Sequence, residues 1–77
     1  MISIHYFAGL KEVTGKPEEK LDCDKLTVRE LKDWGIKIYP AFSNFVMYVA
    51  VNEEYALDAD MIYANDVVAF IPPVSGG

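Results

Sequence analysis

The chain has few of the residues that staple, ligate or anchor a protein. Its single cysteine, Cys23, cannot form an internal disulfide, which fits a reducing, cytoplasmic setting. That cysteine and the single histidine, His5, have no evident third group to orient them, so they make a weak nucleophile and base pair. The acids between residues 53 and 60 lack the regular spacing and the glycine of a calcium loop, and no metal is expected. No stretch approaches the roughly 20 apolar residues of a membrane helix. The start, Met1-Ile2-Ser3-Ile4-His5, lacks the basic lead of a signal peptide. After Lys37 there is no basic residue at all, while Glu53, Glu54, Asp58, Asp60 and Asp66 account for the whole net charge of −5. Nucleic acid is a poor partner for such a chain. A basic protein surface suits it, and ordinary solubility charge explains the acids equally well.

What remains is one small domain of 77 residues, 52% of them hydrophobic. A domain this size hides only about 60% of its unfolded surface, so the apolar content reads either as close packing or as a surface for a partner. Residues 1–8 read as a strand, with Ile2, Ile4 and Tyr6 on one face and Ser3, His5 and Phe7 on the other. Gly9 and Gly15 flank a possible helical turn from Leu10 to Val13. Residues 17–23 form a second, more polar strand suited to a sheet edge. Thr27-Val28-Arg29-Glu30 is a capping box, and Val28, Leu31, Gly35 and Ile38 follow at helical spacing. Gly35 could end that helix or lie inside it at about 1 kcal/mol. The longer reading, ending near Tyr39 before Pro40, is preferred. Residues 45–51, FVMYVAV, form a third strand. A turn at 52–54 leads to a short return strand at 55–57. A turn at Asn65-Asp66 leads to a final strand, residues 67–71, apolar on both faces as a central strand is.

The expected fold is α+β, a mixed sheet with one main helix packed across it. The β-grasp arrangement, as in ubiquitin, is the natural candidate, because it sets the first and last strands side by side in the sheet centre.

Residues 1–71 are then the folded domain and residues 72–77 a tail. From Val67 to Gly77 no side chain is charged. Pro72 and Pro73 supply no amide donors, so the sheet stops there and the chain leaves extended. Six extended residues, Pro72-Pro73-Val74-Ser75-Gly76-Gly77, reach roughly 20 Å. Gly76 and Gly77 carry no side chain to obstruct a narrow channel, and the Gly77 carboxylate is the charge at the tip. A carboxylate is a poor electrophile, so chemistry on it needs ATP and an acyl-adenylate. Such a tail lets the reacting carbon enter an enzyme site while the folded body docks outside.

The ending Val68-Ala69-Phe70-Ile71-Pro72-Pro73-Val74-Ser75-Gly76-Gly77 resembles that of the small subunits of molybdopterin synthase. Tyr6-Phe7-Ala8 with Lys11-Glu12 and Gly15, Thr27-Val28-Arg29-Glu30-Leu31, and Ala50-Val51-Asn52-Glu53-Glu54-Tyr55 agree with it. The short middle, residues 35–45, departs from the family pattern. The resemblance implies a sulfur carrier with no permanently bound cofactor. A ubiquitin-activating-type enzyme would use ATP to adenylate Gly77, and a sulfur donor protein would help convert it to a thiocarboxylate. The large subunit would receive the tail, and the sulfur would pass to cyclic pyranopterin monophosphate to build the dithiolene of molybdopterin. The resemblance also places Phe7, Tyr55 and Ile71 on the open sheet face where partner proteins dock, with residues Pro72, Pro73, Val74 and Ser75 in the partner's channel. Burial of that face under a loop is the competing expectation. A thiamine-pathway sulfur carrier, a ubiquitin-like modifier of lysines and a plain interaction module are the alternative functions.

Overall fold

Alternation in Ile2–Tyr6 (β1) sends Ile2, Ile4 and Tyr6 into the core and leaves Ser3 and His5 half-buried on the opposite face. The computed structural model describes residues 1–71. The expectations for the tail, Pro72 to Gly77, lie outside the described residues. After β1 come a helix, Ala8–Thr14 (α1), and an edge strand, Glu18–Leu21 (β2). Gly15 ends α1 in the left-handed region, at φ 74°, and its N–H donates to the Lys11 carbonyl.

The chain continues through Lys25–Thr27 (β3), the main helix Val28–Ile38 (α2) and a 3-10 helix, Pro40–Asn44. Tyr48–Val51 (β4), Glu54–Ala56 (β5), Met61–Tyr63 (β6) and Val67–Ile71 (β7) follow. The five-stranded sheet has the order β2-β1-β7-β4-β5. β1 and β7 run parallel at its middle, with Ile4 beside Val68 and Tyr6 beside Phe70. The other neighbours are antiparallel. This is the β-grasp arrangement. β3 and β6 form a separate antiparallel pair.

The capping box of α2 is formed. The Glu30 N–H donates to Thr27 Oγ1 at 3.1 Å, and the Thr27 N–H donates to Glu30 Oε1 at 2.8 Å. The Val28 and Arg29 amides donate to the Asp60 and Asp58 carbonyls, so the loop before β6 satisfies the helix start. Gly35 lies inside α2, which ends at Ile38 with Tyr39 as its C-cap, as the longer reading expects. Its missing side chain admits the Phe42 ring from the 3-10 helix: a Cβ on Gly35 would stand 3.1 Å from Phe42 Cδ2.

Val28 and Leu31 of α2, Leu10 of α1 and Phe42 pack against the inner sheet face of Ile2, Ile4, Val49, Val68 and Phe70. Tyr6 lies parallel to Phe70, with ring centroids 5.9 Å apart. Tyr39 and Phe42 complete this aromatic group. Glu19 closes it at the edge. Tyr6 and Tyr39 both donate to Glu19 Oε1, Tyr39 at 2.7 Å, and Lys16 Nζ lies 3.5 Å from Oε2. Burial opposes ionisation of Glu19, but the two tyrosine hydrogen bonds and Lys16 outweigh it and hold the carboxyl below its ordinary range. Burial, and then the Glu19 carboxylate, push the Tyr6 phenol well above its ordinary range.

Several elements differ from the sequence expectation. The third strand begins at Tyr48 rather than residue 45, because Phe45 caps the 3-10 helix. The second strand is confined to Glu18–Leu21, and the return strand begins one residue earlier, at Glu54. The turn at Leu10–Val13 is a full helix, α1. The β3–β6 pair was not expected at all.

Candidate functional site

Among the described residues nothing covers the sheet face away from α2, and the residues of that face follow from the register. One row crosses four strands: His5 sits beside Ala69, Ala69 beside Ala50, and Ala50 beside Tyr55. Two alanines on adjacent central strands lower the floor between larger walls. The result is an open furrow of about 390 Å³ lined by His5, Phe7, Ala50, Glu53, Tyr55, Val67, Ala69 and Ile71. Phe7 and Val67 are about half exposed, and Tyr55 is 74% exposed. Tyr55 meets Tyr48 edge-on, with centroids 6.1 Å apart. Exposed aromatic groups clustered on one face mark an interaction surface.

The structure thus brings Phe7, Tyr55 and Ile71 together on one uncovered face, and no described loop buries it. Ile71, the last residue of the central strand β7 and the last described residue, lines the furrow. Tail residues Pro72, Pro73, Val74, Ser75, Gly76 and Gly77 lie outside the described residues.

His5 and Cys23 have separate partners. His5 Nε2 lies 3.6 Å from Glu18 Oε2, and the half-buried Cys23 Sγ donates to the Lys25 carbonyl at 3.2 Å. Among the described residues no group of three or more His, Cys, Asp or Glu is placed to hold a metal, and no helix is long and apolar enough to cross a membrane. The acids of the second half are not equivalent. Asp58 Oδ1 accepts from Lys32 Nζ at 2.8 Å, and that hydrogen bond holds its carboxyl below the ordinary range despite the opposing effect of desolvation. Asp60 and Asp66 accept from the Leu57 and Tyr63 amides.

Sequence reading did not name the floor residues Ala50 and Ala69 as part of a site, and it named the wall residue Glu53 only among the acids suited to a basic partner surface. The signal for the floor was present, since both alanines interrupt β-branched and aromatic strands at outward-facing positions. Their alignment depends on the β4–β7 register, which no local pattern reveals.

The ThiS family model matches residues 4–77. The molybdopterin synthase sulfur carrier subunit of Dictyostelium discoideum is 44% identical, over 92% of this chain and 90% of its own. Among solved structures, a Pyrococcus furiosus protein assigned as molybdopterin converting factor, subunit 1, superposes with a TM-score of 0.86 at 26% identity, covering 95% of this chain and 97% of its own. The small archaeal modifier protein 1 of Haloferax volcanii superposes with a TM-score of 0.82 at 28% identity, covering 95% of this chain and 97% of its own. The chain belongs to the ThiS family, among the relatives of the molybdopterin synthase sulfur carrier subunits.

Proposed function

We propose that this protein is the sulfur carrier of a molybdopterin synthase and that its working group is the Gly77 carboxylate. The observation that carries the reading is the 40–44% identity to molybdopterin synthase sulfur carrier subunits over nearly the whole chain, and the family match, which runs through the Gly76-Gly77 ending, supports the role of the tail. The furrow at the root of the tail supports it, because a body docked there directs the following residues into the partner.

In this reading an adenylating enzyme of the ubiquitin-activating type binds the furrow and threads Pro72, Pro73, Val74, Ser75 and Gly76 into its site. The Gly77 carboxylate attacks the α-phosphorus of ATP and displaces pyrophosphate. Hydrosulfide delivered by a donor protein then attacks the acyl carbon, the bond to AMP breaks, and loss of the S–H proton to water leaves a thiocarboxylate. That sulfur is anionic at neutral pH and attacks carbon readily. The large synthase subunit takes the loaded tail, with Phe7, Tyr55 and Ile71 at the docked face, and the sulfur passes to cyclic pyranopterin monophosphate. Two such transfers build the dithiolene. The pocket for that chemistry belongs to the large subunit, and this chain contributes the sulfur, its reach and its docking surface.

The test is reconstitution. Chain loaded with thiocarboxylate, mixed with the large subunit and cyclic pyranopterin monophosphate, should yield molybdopterin, and unloaded chain should not. Failure of the loaded chain with an active large subunit contradicts the reading. A second reading has a specific observation behind it: the likeness to an archaeal modifier protein. A modifier would leave branched Gly-Gly peptides on lysines of other proteins, and their detection in cells would favour that use of the same adenylate.

A further inference from the structure

The β4–β5 turn holds a residue that its backbone does not favour. Asn52 and Glu53 both have positive φ, 50° and 72°, as a two-residue type I′ hairpin turn requires. Asparagine is ordinary at the first position. Glycine is ordinary at the second, because a side chain disfavours the left-handed region. Glu53 keeps its carboxylate there at a backbone cost that glycine would avoid. Conformational cost retained in this way is characteristic of working positions.

The turn is also fixed. The Asn52 N–H donates to the Val67 carbonyl at 2.7 Å. The Val67 N–H donates to Asn52 Oδ1 at 3.0 Å, and Asn52 Nδ2 donates to Asp66 Oδ1 at 3.1 Å. Glu53 is thereby held at the wall of the furrow, beside Ala50 and Val67. Of the five acids in the second half, Asp58, Asp60 and Asp66 are engaged by Lys32, the Leu57 amide and the Tyr63 amide. Among the described residues the carboxylates of Glu53 and Glu54 have no hydrogen-bond or ion-pair partner, and of these two residues Glu53 alone lines the furrow. No lysine or arginine lines it. Glu53 is exposed at that wall, where its charge is free to attract a cationic group of a docking protein.

We propose that Glu53 is the receptor for one cationic side chain, an arginine or lysine, of the protein that docks on the furrow, and so is a specificity-determining residue for docking. This rests on the reading of the furrow as the surface that meets the large synthase subunit.

The experiment measures affinity of the full chain for the large subunit of molybdopterin synthase from the same organism, by calorimetry at two salt concentrations. Glu53→Gln keeps the side-chain shape and removes the charge. Glu53→Gly also relaxes the turn, and Glu54→Gln is the neighbouring control. Both Glu53 variants should bind about tenfold more weakly, with a smaller salt dependence. Glu53→Gly should also melt at or above the parent temperature, and Glu54→Gln should bind like the parent. Parent-like binding by either Glu53 variant overturns the inference, as does an equal loss in Glu54→Gln, while leaving the docking reading intact. A parent chain that does not bind the large subunit overturns both.

Discussion

Gly35 and Phe42 share one space: the absence of a Cβ on the helix is what lets the ring of the 3-10 helix sit within 3.1 Å of where that atom would be. Phe42 is wholly buried and held by Tyr6, Tyr39 and Phe70, so it has little room to give. In an exposed helix Gly→Ala stabilises by about 1 kcal/mol. Here Gly35→Ala should instead destabilise the domain by about 1–3 kcal/mol, the usual cost of overpacking. Urea unfolding of parent and variant measures it, and a stabilised variant would contradict the packing described.

The Glu19 bridge predicts how stability changes with pH. Its folded pKa lies below the ordinary value of 4.5, so its contribution is present above that value and is lost as pH falls through the lower, folded one. Tyr6 has the opposite sign. Its folded pKa is raised above 10.0, so its contribution is present below 10 and is lost as pH rises, when the unfolded chain ionises first. Glu19→Gln should lower stability at pH 7 by about 1.5–3 kcal/mol, the range for hydrogen bonds to a charged group, and should flatten the acid limb. Denaturation midpoints across pH 2–7 test this, and an unchanged acid limb would remove Glu19 from the account.

The open face should carry affinity without carrying the fold. Phe7 is half exposed, and Ile71 lies at the end of β7, away from the inner core. Phe7→Ala and Ile71→Ala should each weaken binding to the large synthase subunit by about 1–4 kcal/mol while melting within a few degrees of the parent. Surface plasmon resonance and thermal melts decide it. Full affinity in both variants would exclude this face as the docking surface.

Much of this architecture was legible in the residues. The alternation of β1, the Thr27–Glu30 box and the uncharged strand Val67–Ile71 each state their element locally, and the central placing of the first and last strands followed from the β-grasp reading. The β3–β6 pair was not legible. Three-residue strands such as Lys25–Thr27 are too short to show a period, and they form because the loop that caps α2 lies beside them. The start of β4 was hidden because Phe45 and Val46 have strand-like chemistry, yet Pro40 opens a 3-10 helix that consumes the residues before Tyr48. At the site, Phe7, Tyr55 and Ile71 were named from family resemblance. Glu53 was seen only as one acid among five, since its distinction lies in a positive φ and in the engagement of Asp58, Asp60 and Asp66 elsewhere.

The central claim is that chemistry occurs on the carbonyl carbon of Gly77 at a fixed reach from the furrow. One alanine added after Gly77 moves the carboxylate by up to roughly 3.5 Å, and a misplacement of about 1 Å can cost 100-fold in rate. The most direct measurement is the intact mass of parent and extended chain after incubation with the adenylating enzyme, ATP and a sulfur donor, alongside a thermal melt of each. The parent should gain the mass of one sulfur-for-oxygen exchange, and the extended chain should melt like the parent and gain none. Normal thiolation of the extended chain, or loss of thiolation accompanied by loss of the fold, would contradict the account.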